Sequence, residues 1–156
     1  MTKNRYHACS NLILTCGDER LHQRPDGSNP VGQFIRENMD DDCSLLIIDG
    51  GVFDLNMKKE KSIPYIKRKL DARVRRGVKR ILPLNHQDCY EYNECFSQEF
   101  KTEEDEFRKH KEHLLQTTQL IRTWFPSVVV EPYFARLLNH KHNNWVISQA
   151  ILNLNL

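Results

Sequence analysis

The sequence lacks the long apolar run that a membrane span needs: none of its stretches approaches the roughly 18 apolar side chains required. Its opening residues, Met1-Thr2-Lys3-Asn4-Arg5-Tyr6-His7, contain nothing resembling a signal peptide, so the cytoplasm is the expected compartment and no membrane partner is expected. A net charge of +2 is too small to point by itself to nucleic acid or a lipid surface. Internal repeats, low-complexity tracts, Gly-rich phosphate signatures and a Cys-x-x-Cys redox pair are all missing. The five cysteines are an odd number in a chain without a secretion signal, which argues against a disulfide framework and for thiols or metal ligands.

What is present describes a soluble globular chain of 156 residues, 39% hydrophobic and 28% charged, large enough for one sizeable core. A single domain over 1–156 is expected. Residues 10–15, with the apolar run Asn11-Leu12-Ile13-Leu14, read as a strand covered on both faces. Turn formers at Pro25, Asp26-Gly27 and Asn29-Pro30 follow, and then a short helix over 31–39. A second buried strand over 44–48 ends in Asp49-Gly50-Gly51, a loop expected to border the site that the first strand ends in. Ile63, Ile66, Leu70 and Val74 predict a helix from Ser62, with Pro64 in its first turn and Gly77 as its left-handed cap. The third buried strand is expected over 78–84, with His86 and Cys89 just past its end. Thr102 and Asp105 form a capping-box pattern opening a helix that carries Phe107, Leu114, Leu115, Ile121 and Phe125 on one side and stops at Pro126. Val128-Val129-Val130 begins a fourth strand, and the run to Trp145-Val146-Ile147 predicts a hairpin or a strand followed by a short helix. Alternating strands and helices give an α/β domain, a mostly parallel sheet flanked by helices, in the order 2-1-3-4 with room for an extra edge strand. That order places the ends of the first and third strands side by side, where such sheets bind ligands.

Both of those ends carry chemistry. Thr15-Cys16-Gly17-Asp18-Glu19-Arg20 follows the first strand, and Asn85-His86-Gln87-Asp88-Cys89 follows the third. Cys16, His86 and Cys89 supply the three Cys and His ligands of a catalytic zinc site, which leaves one position for water. Asp18 could accept a hydrogen bond from that water or take the fourth position itself, with Arg20 forked onto its carboxylate to orient it. Cys9, Cys43 and Cys95 are expected to be small buried hydrophobes. His140 and His142, in an Asn-rich turn, and His110 and His113, on a charged helix, are expected to be solvated. Residues 58–80 hold eleven Lys or Arg against Glu60 and Asp71, whereas 88–112 hold nine acids against four bases; without a binding motif this reads as a solvated helix face, and nucleic acid is not an expected partner.

At these residues the chain resembles the β-class carbonic anhydrases, which carry Cys-x-Asp-x-Arg after the first strand and His-x-x-Cys after the third. The resemblance covers roughly residues 8–133 and includes Gly77-Val78-Lys79-Arg80-Ile81-Leu82 leading to His86. It does not extend to the amino-terminal helical arm that many members pack on a partner subunit. Tyr90 stands where the family usually has Gly, and Ile48-Asp49-Gly50-Gly51 replaces the family's Arg-Asn-Ala-Gly loop. The resemblance implies Zn2+ on Cys16, His86 and Cys89, and reversible hydration of carbon dioxide to bicarbonate and a proton by zinc-bound hydroxide. It also implies Asp18 and Arg20 as the catalytic pair, and a homodimer or higher oligomer with a Gln near the substrate, for which Gln33 is a weak candidate. Two alternatives stay open: a zinc hydrolase acting on carbon disulfide or carbonyl sulfide, and a non-catalytic zinc-binding interaction protein.

Overall fold

The computed structural model describes residues 9–139 and 144–150; His140 and His142 lie outside them. Among the described residues six strands form the sheet, five of them in the order β2-β1-β3-β5-β6: β1 Asn11–Thr15, β2 Cys43–Ile47, β3 Arg80–His86, β5 Tyr133–Asn139 and β6 Asn144–Gln149. The short β4, Val129–Val130, pairs beside Arg80 and Ile81, and β5 takes over the same side of β3 from Leu84 to His86. All pairings are parallel except β5 with β6. The expected fourth position is thus shared by two strands, and the closing run is a hairpin whose second strand is the extra edge.

Alternation along β1 explains the layers. Leu12 and Leu14 face one side, where they join Ile66 and Leu70 of α3 (Ser62–Val74) and Leu114 and Ile121 of α5 (Glu103–Trp124). Ile13 faces the other, against Val31 and Phe34 of α1 (Pro30–Asn38). Both faces being covered is why β1 and the middle of β3 are continuous apolar runs. β2 departs from expectation: it is an edge strand paired only to β1, so most of it is half-exposed and Ile47 is 48% exposed.

Local signals account for the helix ends. Thr102 and Asp105 cap α5 reciprocally, and its first turn holds Glu103, Glu104, Asp105 and Glu106, which suits the positive end of the helix dipole. Gly77 takes φ +115 after α3. Two short helices, α2 (Phe53–Asn56) and α4 (Tyr90–Phe96), were not legible as periodic patterns because each is under two and a half turns. β3 also runs two residues further than expected, so His86 is its last residue rather than lying beyond it.

Register then sets the site. Thr15 pairs with Leu84 on one side and Ile47 on the other, so Cys16 emerges between the ends of β3 and β2. Cys89, three residues past β3, sits at the N-cap of α4. Among the described residues, no helix is long and apolar enough to cross a membrane.

Candidate metal centre

Cys16 Sγ, Cys89 Sγ and one imidazole nitrogen of His86 lie within 4.8 Å of one another, and all three residues are buried. His86 is oriented from behind: its Nδ1 is 2.8 Å from the Gln87 carbonyl oxygen, which can only accept, so Nδ1 carries the proton. Nε2 is left with a free lone pair, buried and without a hydrogen-bond partner. An orphaned acceptor facing two sulfurs is costly unless a cation completes it.

The two thiols point the same way. The Cys89 side chain, aided by His86, draws Cys16 far below the ordinary thiol range against its burial, while the same contact and burial push Cys89 up. The Gly50 N–H donates to Cys16 Sγ at 3.2 Å and supports its ionised form. Two buried sulfurs this close both ionise only when a cation neutralises them. The donor set of two sulfurs and one imidazole nitrogen therefore fits a borderline-soft, tetrahedral ion.

Arg20 forks onto Asp18, with Nε 3.0 Å from Oδ1 and Nη2 2.7 Å from Oδ2, and its backbone N–H adds a third bond at 2.9 Å. Burial alone would raise the Asp18 carboxyl, but these bonds outweigh it and hold it below the usual range. The fork likewise pushes Arg20 up. Asp18 Oδ2 lies 3.9 Å from His86 Nε2, at the edge of the same triangle.

Sequence reasoning missed a second set of residues that holds the first. Arg20 also reaches Asp88, through Oδ2 at 3.0 Å and the carbonyl at 3.1 Å, and stacks over Trp145 at 5.4 Å. Trp145 in turn meets His86 edge-on at 5.7 Å. Asp88 occupies the left-handed region at φ +59, and its N–H donates to the buried Glu106 carboxylate. Asn85 accepts the Val52 N–H and donates to Tyr92 Oη and His110 Nδ1, tying the Gly50-Gly51 turn, α4 and α5 to the end of β3.

Several expectations are corrected. His110 and His113 are buried rather than solvated, packed on Tyr92, which lies 3.0 Å from His113 Nδ1. Cys9 and Cys43 are half-buried and Cys95 is exposed, so none is a buried core residue. Gln33, expected near substrate only as part of a subunit interface, is exposed on α1 and bonded to Glu37 at 2.8 Å. That α5 face was readable: Glu106, His110, His113 and Thr117 recur at helical spacing beside Leu114 and Ile121.

No family model and no curated protein matches this sequence. The fold is similar to that of solved carbonic anhydrases. A structure from a study of two tetrameric β-carbonic anhydrases of the filamentous ascomycete Sordaria macrospora matches with TM-score 0.51 at 13% identity, covering 92% of this chain and 81% of that one. A carbonic anhydrase from Streptococcus mutans matches with TM-score 0.48 at 14% identity, covering 92% and 82%. The likeness is one of fold.

Proposed function

We propose that this chain is a zinc enzyme that reversibly hydrates carbon dioxide to bicarbonate and a proton. The observation that carries the reading is the partnerless, buried Nε2 of His86 facing Cys16 and Cys89. A fold similar to that of a β-carbonic anhydrase supports it. Zinc, when bound, acidifies a water molecule toward neutrality and so supplies a nucleophile for an electrophilic carbon.

The chain's own residues do the rest. Cys16, His86 and Cys89 hold the ion, with the Gln87 carbonyl fixing the imidazole and the Gly50 N–H supporting the Cys16 thiolate. Two anionic sulfurs donate charge, so activity favours mildly alkaline pH. Asp18 would accept a hydrogen bond from the attacking oxygen and so aim its lone pair at the carbon, and Arg20 keeps Asp18 ionised and in place. As with the tetrameric Sordaria macrospora enzymes, assembly into a homo-oligomer is part of the proposal.

Stopped-flow carbon dioxide hydration by the zinc-replete protein tests it. Acceleration is expected for the native chain, none for Cys16→Ser, and a loss of roughly tenfold or more for Asp18→Asn with zinc retained. Zinc-loaded protein that fails to accelerate hydration contradicts the reading; turnover of carbon disulfide or carbonyl sulfide in its place would reassign the substrate.

A further inference from the structure

The cavity over Cys16 and Cys89 has a volume of about 360 Å³ and is bordered by carboxylates from three segments. Asp18 and Glu19 stand on the turn after β1, Asp49 on the turn after β2, and Glu91 in the first turn of α4. Two glycines let the last two close in. A Cβ on Gly17 would lie 2.7 Å from Asp49 Oδ1, and one on Gly50 would lie 3.0 Å from the Glu91 stem.

Among the described residues, no Lys, Arg or His lines this cavity. Arg20 lies behind Asp18 and is shared with Asp88, so two carboxylates face one guanidinium and the group remains negative. Lys59 is close enough to interact with Glu91, but Asp54 already holds it at 2.7 Å. A divalent ion on two thiolates would be neutral as a unit. Nothing at the floor of the cavity therefore offsets the acidic rim.

Resting on the metal-centre reading above, we propose that Glu19, Asp49 and Glu91 act as an electrostatic filter that admits electroneutral molecules to the metal position and holds off small anions. Low-dielectric walls focus the field of such a rim into the opening. A neutral substrate enters without electrostatic cost, and an anionic product leaves down the potential. The chemical class selected is thus small, uncharged electrophiles, with anions, bicarbonate included, bound weakly.

Ligand titrations of the cobalt(II)-substituted protein, followed by visible absorption at one ionic strength and mildly alkaline pH, test this independently of turnover. Thiocyanate serves as the anion and imidazole as the neutral ligand. In the E19Q/D49N/E91Q variant, thiocyanate affinity is expected to rise roughly fivefold or more, and in Asp49→Asn alone about twofold, while imidazole affinity is unchanged in both. Unchanged thiocyanate affinity overturns the filter, as does equal tightening of both ligands, which a reshaped cavity would give. Because Asp49 is exposed, its single variant decides the matter even where the triple variant folds poorly. Absence of sulfur-to-cobalt absorption in the native protein overturns the metal centre itself, and the filter with it.

Discussion

Asp88 shows how a single residue holds the centre from outside it. Its left-handed backbone turns the chain from β3 into α4 so that Cys89 comes back toward His86. Asp tolerates that region better than most residues with a Cβ, and here the Glu106 carboxylate and Arg20 pin it. Both Asp88→Gly and Asp88→Ala lose the half-exposed ion pair, which is worth little, but only Ala keeps the steric penalty. Urea unfolding should find the Gly variant more stable than the Ala variant by roughly 1 kcal/mol. Equal stabilities, or the reverse order, would contradict a strained turn. Cys16, Asp18, Arg20, His86 and Cys89 were legible because their chemistry and spacing are local. Asp88, Trp145 and the Gly50 N–H were not, since their parts depend on strand register and on the hairpin in which β6 folds back onto β5.

At the scale of the element, α5 carries two messages on one stripe. Its apolar residues were read correctly as a core face, although Leu115 is only half-buried; its histidines were taken as solvated because the helix is highly charged. Burial, partly countered by Glu106, lowers His110 from 6.5 to about 4, and burial lowers His113 in the same direction. The sign follows from linkage. Below pH 6.5 the unfolded chain takes up a proton that folded His110 refuses until about pH 4, so stability falls as the pH drops through that window. At its low end the loss reaches about 3 kcal/mol, taking roughly 1.4 kcal/mol per pH unit. Denaturation midpoints measured from pH 7 to pH 4 should fall less steeply in His110→Gln than in the native protein. Parallel curves would contradict a buried neutral imidazole.

For the whole molecule, the sheet's parallel order brings the carboxyl ends of β1, β2 and β3 together, and the candidate metal ligands follow the first and third of them. The α/β class and the 2-1-3 core were readable because those strands are long apolar runs with helices between them. The sharing of one side of β3 by β4 and β5 was not, because a two-residue pairing leaves no periodic signal. A metal that binds only the folded arrangement also stabilises it, by about 4 kcal/mol at a thousandfold excess over its dissociation constant. Chelation should accordingly lower Tm by about 10 °C in the native protein and leave Cys16→Ser unmoved. A chelator-insensitive native Tm would remove the ion from the folding energetics.

The claim on which the account depends is that Cys16, His86 and Cys89 hold one zinc ion. X-ray absorption at the zinc edge of the purified protein tests it most directly. We predict one zinc per chain with two sulfurs at roughly 2.3 Å and a histidine nitrogen at roughly 2.0 Å in the inner shell. A stoichiometric zinc with only nitrogen and oxygen neighbours, or a folded chain that takes up no zinc, would contradict it.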